Sequence, residues 1–169
     1  LERSLIRSAR ELFPTEISEY SAKLHSYGFS NGSLIEFGSC EHESDVYKYQ
    51  SAEYDVIRFD ELTHFTEYQY LYLLSRVRGT NGYPKQVKST TNPGGIGHTW
   101  VRSRFVDVAP PGCMYGTAGR TRIFIPARIS DNSFLMKSDP GYLERLKSLP
   151  ERERRALLDG DWNITEGRY

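Results

Sequence analysis

The chain has 169 residues, of which 38% are hydrophobic, 13% aromatic and 26% charged, a composition that excludes an obviously disordered chain and fits about one ordinary domain. No apolar run approaches the ~18–20 residues of a membrane span, and the first residues lack the pattern of a signal peptide. The zero net charge hides an asymmetry, because residues 1–75 are rich in acidic side chains and residues 76–169 in basic ones. We expect a soluble, intracellular protein whose halves either neutralise each other or turn a basic surface toward nucleic acid or phosphates.

The two cysteines, Cys40 and Cys113, do not indicate a cysteine-based site. They are far apart in the sequence and take part in no Cys-x-x-Cys or Cys/His spacing. Neither a disulfide framework nor a zinc site is therefore predicted, and we expect both side chains to be buried thiols.

The first predicted elements are a helix and a hairpin. Apolar residues recur at helical spacing over residues 2–13 until a proline ends the pattern, which predicts an amphipathic helix. Two extended runs, 22–29 and 33–38, flank Asn31-Gly32, a dipeptide suited to a tight turn with positive φ. The chain therefore begins with a predicted helix followed by a β-hairpin.

A strand, a helix and a second strand are predicted next. Residues 54–59 form a short apolar run, and capping-box spacing between Thr66 and Gln69 begins a helix over about 66–78. Residues 86–90 are typical of a second short strand. This order predicts a parallel βαβ unit.

The remaining predicted elements are one strand and two helices. Residues 122–129 alternate in polarity as a strand does, and Pro126 places that strand toward the edge of a sheet. The Asp-Pro dipeptide at 139–140 is typical of a helix start, and Pro150 begins a further charged helix that Gly160 ends.

The first candidate site is Asp60-Glu61, at the end of the 54–59 strand. In α/β proteins, ligands bind beyond the carboxyl ends of the strands. Neighbouring side chains there point to different sides, so Asp60 could hold a metal-bound water while Glu61 orients or deprotonates an attacking water. This is the Walker B arrangement of P-loop proteins that hydrolyse nucleotides. The alternative, from these residues alone, is a solvated strand end or a cap for the next helix.

The second candidate site follows the 86–90 strand. Thr90, Thr91 and Asn92 place hydroxyls and an amide where they can hydrogen-bond a γ-phosphate or the attacking water. Gly94 and Gly95 would let the loop shift when that phosphate leaves. The alternative is a glycine-proline turn that binds nothing.

Four segments together resemble, in order and spacing, the large terminase subunit of tailed bacteriophages. They are YDVIRFDELTHF, STTNPGGIGHTWVRSRFVD, RIFIPARISDNSFL and LLDGDWNITEGRY, and the resemblance covers about residues 22–169. It implies an α/β fold of the P-loop NTPase (RecA/ASCE-like) type, a three-layer sandwich with a mainly parallel sheet, incomplete here because the P-loop strand is missing. In that family an ATPase domain hydrolyses ATP to drive viral DNA into a procapsid, and a separate C-terminal domain cuts the DNA.

The resemblance also implies roles for individual residues. Asp60 corresponds to the Walker B aspartate, which holds Mg²⁺ through water, and Glu61 to the catalytic glutamate. Thr90, Thr91 and Asn92 correspond to the coupling motif, which senses phosphate and links hydrolysis to movement.

The resemblance divides the chain into three parts. Residues 1–130 correspond to the ATPase core, residues 131–162 to the lid subdomain, and residues 163–169 to the start of the linker toward the nuclease. Because the sequence contains no Gly-Lys dipeptide, the phosphate-binding loop G-x-x-x-x-G-K-[ST] is expected before Leu1. The nuclease carboxylates are expected after Tyr169.

Other basic and aromatic residues allow two interpretations each. Family members donate an arginine to a neighbouring subunit, and Arg76 or Arg78 could take that role or could simply interact with a helix end or solvent. His98 and Trp100 are expected to be a buried anchor for the preceding loop rather than catalytic groups. The charged helix carries a last basic group, Arg152, Arg154 and Arg155. These arginines could contact DNA phosphates or an adjacent subunit, or they could form a solvated helix face.

The resemblance therefore implies part of a viral DNA-packaging ATPase that uses ATP and Mg²⁺ in the host bacterial cytoplasm. The partners it implies are double-stranded DNA, the portal protein, the small terminase subunit and, at full length, further copies in a ring, with no membrane involved. This piece alone is expected to be inactive. Two alternatives are a helicase-like ATPase fragment, which the Asn-Pro-Gly-Gly loop disfavours, and a binding or assembly module that never hydrolyses ATP.

Overall fold

The computed structural model describes residues 5–164, and the chain divides into two compact units, Leu1–Tyr47 and Lys48–Tyr169. The described residues of the first unit form one α-helix and three strands: α1 (Leu5–Leu12), β1 (Ser18–Ser21), β2 (Ser26–Phe29) and β3 (Leu34–Glu36). The strands pair in sequence order as an antiparallel sheet. The predicted hairpin is confirmed as the β2–β3 connection, where Gly32 has φ 82°. No sequence pattern predicts β1.

The core of the first unit is aromatic. The Phe13 ring, just after α1, packs edge-on against Tyr27 and Phe29 of β2, with centroids 5.2 Å apart in both pairs. Ile6 and Ala9 form the buried stripe of α1. The predicted amphipathic helix is thus confirmed from residue 5 onward, and residues 2–4 lie outside the described part of the chain.

The described residues of the second unit, 48–164, form four strands and five α-helices. The strands are β4 (Val56–Phe59), β5 (Gln86–Ser89), β6 (Met114–Tyr115) and β7 (Arg122–Ile123). The helices are α2 (Glu67–Leu74), α3 (His98–Val101), α4 (Ser133–Ser138), α5 (Gly141–Lys147) and α6 (Glu151–Leu157). Shorter turns of helix are also found along the chain, three of the 3-10 type and one of the π type: Glu43–Tyr49, Leu62–His64, Ile129–Asp131 and Arg102–Val106.

The predicted parallel βαβ unit is confirmed as β4, α2 and β5. β4 and β5 pair in parallel from Val56 opposite Gln86 to Phe59 opposite Ser89. α2 begins with the predicted capping box, because the Thr66 Oγ1 accepts the Gln69 N–H at 3.2 Å and the Gln69 Oε1 accepts the Thr66 N–H at 2.9 Å.

α2 ends at Leu74, four residues before the predicted end. The chain leaves the helix to run beside the strand, since the Tyr54 N–H donates to the Arg76 carbonyl at 2.9 Å and the Arg78 N–H donates to the Tyr54 carbonyl at 3.2 Å. Backbone pairing with Tyr54 thus replaces the last helical turn.

The strand predicted over residues 122–129 is wrong in extent. Only its first two residues form β7, which pairs antiparallel with β6. Ile125 is 70% exposed, so the alternating pattern has no core to face, and Pro126 has no N–H to donate to a ladder. The described residues form an α/β fold with small sheets, of which β4–β5 is the parallel one. A three-layer P-loop sandwich with a mainly parallel sheet remains a prediction.

The final helices begin and end near the predicted residues. Pro140 precedes α5, Pro150 precedes α6, and Gly160 has φ 61° shortly after α6 ends. Of the predicted linker 163–169, residues 165–169 lie outside the described residues. Within residues 5–164, no helix is long and apolar enough to cross a membrane.

The prediction that both cysteines are buried is wrong. Cys113 is exposed, and Cys40 is only half-buried. Cys113 lies in the exposed segment that leads into β6, where a small apolar side chain has no core to enter.

Candidate functional site

The carboxyl ends of β4 and β5 bring the two predicted motifs together. Backbone pairing continues past the strands, because the Thr90 N–H donates to the Phe59 carbonyl at 3.0 Å and the Leu62 N–H donates to the Thr90 carbonyl at 2.9 Å. The Thr90 hydroxyl donates to Asp60 Oδ1 at 2.8 Å. Parallel strands end at the same sheet edge, so residues far apart in sequence meet there.

Glu61 has a left-handed backbone, with φ 54° and ψ 61°. This conformation costs a non-glycine residue roughly 1–2 kcal/mol. It ends the extended chain after β4 and turns it into the 3-10 helix Leu62–His64. The Glu61 Oε1 accepts a hydrogen bond from the Asn92 amide at 3.4 Å. Strain of this kind persists where the surrounding contacts determine it, and it is concentrated at functional sites.

Thr63 holds the loop after β5 against this turn. Its side chain is buried, with 2% exposure. The Thr63 N–H donates to Thr91 Oγ1 at 3.0 Å, the two threonine hydroxyls are 2.9 Å apart, and the Thr63 hydroxyl donates to the Asn92 carbonyl at 3.0 Å. The sequence shows no motif at Thr63; its position two residues after Glu61 is the only signal that could have found it.

The three predicted coupling residues therefore have three different partners. Thr90 contacts Asp60, Asn92 contacts Glu61, and Thr91 contacts Thr63. The first two contacts join the motifs through their functional groups, whereas the third anchors the loop.

Two glycines allow the loop to lie directly on the 3-10 helix. A Cβ at Gly95, where φ is +75°, would lie 2.7 Å from the Thr63 carbonyl oxygen. A Cβ at Gly97 would lie 2.5 Å from the Phe65 carbonyl oxygen. Larger residues at either position would push the loop away from the turn that carries Glu61.

The predicted buried anchor of the loop is confirmed. His98 and Trp100 are both buried on α3. The His98 Nδ1 accepts the Gly94 N–H at 3.0 Å, and the Trp100 indole donates to the Phe65 carbonyl at 2.9 Å.

A cleft of about 290 Å³ opens beside Glu61. It is lined mainly by the turn after β4 and the loop after β5, with one contribution from α6: Glu61, Thr63, His64, Asn92, Pro93, Gly94, Gly95 and Leu157. Its volume is near the lower end of small-molecule sites, about 300 Å³. The cleft is thus lined both by the predicted catalytic residue, Glu61, and by Leu157 of the segment predicted to be a lid.

The family model described as terminase large subunit, T4likevirus-type, N-terminal, matches residues 2–169. The chain belongs to this family. The resemblance predicted from four segments is confirmed, and the match also covers the amino-terminal residues that those segments left out. No curated protein and no solved structure matches the chain. Membership of the terminase large subunits makes this a protein of phage DNA packaging.

The structure does not bring the two candidate arginines of this terminase chain to Asp60 and Glu61. Arg76 and Arg78 lie beside Tyr54, at the opposite end of β4. The Arg76 guanidinium donates to the Gln50 carbonyl, and the Arg78 guanidinium pairs with Glu53 at 3.3 Å. A role for either arginine at a neighbouring subunit's nucleotide remains a prediction.

The donors at this edge of the terminase fold fit a water-coordinated Mg²⁺. Mg²⁺ usually keeps several waters and takes one or two carboxylates together with substrate phosphates. Asp60 offers one exposed carboxylate, whose orientation Thr90 holds. Within residues 5–164, no group of three or more His, Cys, Asp or Glu side chains could hold a metal ion by itself.

The basic residues of α6 have different environments. Arg152 is exposed, as expected of a solvated helix face. Arg155 instead donates through Nε to Asp161 Oδ2 at 2.9 Å. The Asn163 N–H, which donates to the other carboxylate oxygen at 2.8 Å, and the Arg155 guanidinium together hold the pKa of Asp161 below its usual range. This pair joins α6 to the segment that contains Trp162.

Proposed function

We propose that this terminase chain carries the Walker B and coupling residues of the ATPase centre that drives DNA packaging, within a P-loop NTPase-type fold. One observation carries the proposal: the Thr90–Asp60 and Asn92–Glu61 contacts, 2.8 Å and 3.4 Å long, join the two motifs at one strand edge. A solvated strand end beside an unrelated turn would not require matched contacts between both carboxylates and the next loop.

Asp60 would hold Mg²⁺ through water. When bound, the ion would neutralise charge on the phosphates of ATP and keep them in line for attack. Thr90 keeps the Asp60 carboxylate oriented toward the open edge of the sheet. The remaining phosphate contacts would come from a glycine-rich loop of the form G-x-x-x-x-G-K-[ST].

Glu61 is the base. Its carboxylate orients a water molecule and accepts a proton from it as the water oxygen bonds to the terminal phosphorus. The bond from that phosphorus to the bridging oxygen breaks, and ADP leaves with the electron pair. Asn92 holds the Glu61 carboxylate in place, and the left-handed backbone of Glu61 aims the side chain away from the strand direction.

Loss of the terminal phosphate changes the environment of Asn92, and the loop that carries it then moves against the predicted lid. In the intact protein this movement would translocate double-stranded DNA through a ring of copies that is bound to the portal and assisted by the small subunit. The endonuclease activity would reside in a separate C-terminal domain.

The test is Glu61→Gln in the reading frame extended upstream to include the glycine-rich loop. ATP turnover should fall by about 10²–10⁴-fold, the usual contribution of a general base, while nucleotide binding is retained. Glu67→Gln is the matched control, because Glu67 is exposed in the first turn of α2 and does not line the cleft. Turnover that survives Glu61→Gln would remove Glu61 from the mechanism and favour a role in assembly without hydrolysis.

A further inference from the structure

His98 lies between the loop after β5, which carries Asn92, and a residue distant in sequence, Trp162. It is the first residue of α3 and is 5% exposed. Its Nδ1 accepts the Gly94 N–H at 3.0 Å, two residues after Asn92. Its ring stacks on Trp162, with centroids 5.4 Å apart and planes 18° apart. One side chain therefore contacts both the loop that carries Asn92 and the segment that follows α6.

The Trp162 segment is attached to the same region by a second residue. Arg102 donates through Nη1 to the Trp162 carbonyl at 2.9 Å and through Nη2 to Asn163 Oδ1 at 3.0 Å. Phe124, next to β7, packs edge-on against Trp162 with centroids 6.1 Å apart. Arg102 fixes the backbone of the segment, whereas His98 contacts its indole ring.

The hydrogen bond at Nδ1 determines the orientation of the His98 ring. An imidazole nitrogen accepts only when it carries no hydrogen, so the neutral ring has its proton on Nε2. A displacement of Gly94 must either break this bond or rotate the ring. Rotation changes the nearly parallel stack on Trp162, because both rings are buried and packed interiors adapt little without a change of rotamer.

We propose that His98 is a positioning residue that couples the Asn92 loop to Trp162. A change in the contact between Asn92 and Glu61 alters the Gly94–His98 bond and thereby the stack on Trp162. The coupling belongs to the motor only if the proposed function holds, but it is present without nucleotide and can be measured on the 169-residue chain as it is.

Two substitutions separate the two contacts of His98. His98→Asn keeps an acceptor near the position of Nδ1 and removes the ring that stacks on Trp162. His98→Phe keeps a ring and removes the acceptor. If His98 were only a packing residue, each variant would lower stability without changing how Trp162 responds to the loop.

The experiment follows the indole N–H resonance of Trp162 by nuclear magnetic resonance. Asn92→Ala should shift this resonance, and the shift should be lost in both the His98→Asn and the His98→Phe backgrounds. Asn81→Ala is the matched perturbation, since Asn81 binds Asp55 near the opposite end of β4, and it should leave the Trp162 resonance in place. A shift that persists in both His98 backgrounds, or that never occurs in the parent chain, overturns the proposal.

A reciprocal measurement does not depend on the stability of the His98 variants. Coupling between two sites acts in both directions, so Trp162→Leu should speed hydrogen exchange at the Gly94 amide although His98 is unchanged. Unchanged exchange at Gly94 contradicts the proposal. Neither measurement uses ATP, so both can succeed even if Glu61→Gln leaves hydrolysis intact, and both can fail even if Glu61 is the base.

Discussion

Thr63 determines how closely the loop after β5 approaches the carboxylates of Asp60 and Glu61. Its backbone and side chain bind both Thr91 and Asn92, and its carbonyl accepts the Gly97 N–H at 2.8 Å. The residue is buried in the turn that starts at Glu61, so no solvent can replace a lost partner. The separation of Asn92 and Glu61 thus depends on Thr63, whose hydrogen bonds go to Thr91, Asn92 and Gly97.

We expect Thr63→Val to destabilise the chain by about 1–3 kcal/mol, the cost of leaving buried polar groups unsatisfied. Valine has nearly the same shape, so the loss reports the hydroxyl rather than a cavity. Urea unfolding of the parent and the variant gives the difference in the free energy of unfolding.

Thr80→Val is the control for this substitution. Thr80 is exposed, and surface changes of this kind usually stay within about 0.5 kcal/mol. Equal effects of the two substitutions would show that the Thr63 hydroxyl contributes nothing to the packing of the loop.

At the scale of elements, α6 and the turn after it are joined by the Arg155–Asp161 pair. In the fold, the pKa of Asp161 lies below its usual value of 3.8, because the Asn163 N–H and Arg155 stabilise the charged carboxylate. A group whose pKa is lowered by folding contributes stability above its unfolded pKa. That contribution disappears as the pH falls through the lower, folded value.

Asp161→Asn should therefore reduce stability at neutral pH, and the difference from the parent chain should shrink as the pH falls below about 4. Thermal unfolding between pH 7 and pH 3 measures it. Asp159→Asn is the matched control, because Asp159 is exposed two residues after the same helix ends. A difference from the parent that stays constant with pH would exclude the ionised carboxylate as its source.

Elements encoded by local chemistry could be predicted from the sequence. The Thr66–Gln69 capping box and the Asn31-Gly32 turn each depend on a few neighbouring residues, so their patterns identified α2 and the β2–β3 hairpin. The strand edge with Asp60 and Glu61 could also be predicted, because a βαβ unit determines where its strands end. Features that depend on distant partners could not, such as Thr63, whose role exists only once Thr91 is beside it.

Alternation of polar and apolar residues predicted a longer strand than the structure has, because no other element within residues 5–164 packs over that segment. Residues 122–129 have a strand's pattern, yet β7 contains only the first two of them. The π-helical turn Arg102–Val106 has no local signature either. Arg102, at its start, binds Trp162 and Asn163. These partners are 60 and 61 positions away in the sequence, so no short sequence pattern could have predicted the contact.

On the scale of the whole molecule, part of the charge asymmetry is neutralised inside the second unit. Lys85 pairs with Asp55 at 2.8 Å, and its hydrogen bond, with one from Asn81, lowers the pKa of Asp55. Arg78 pairs with Glu53 at 3.3 Å. These pairs join the acidic first half of the sequence to its basic second half, which supports mutual neutralisation for these residues.

The chain alone should bind ATP weakly. In P-loop proteins the phosphates are held mainly by the backbone N–H groups of the glycine-rich loop, and this sequence has no Gly-Lys dipeptide. Calorimetric titration with ATP and Mg²⁺ should show no micromolar binding. The same titration on the upstream-extended protein is the control, and micromolar affinity of the 169-residue chain would contradict the prediction.

The left-handed backbone of Glu61 lowers the stability of the fold at the residue proposed to be the catalytic base. Glycine adopts this conformation without steric cost, so Glu61→Gly should raise the free energy of unfolding while removing the carboxylate. On the proposed mechanism, a relative with glycine at this position would have given up ATP turnover and gained thermodynamic stability.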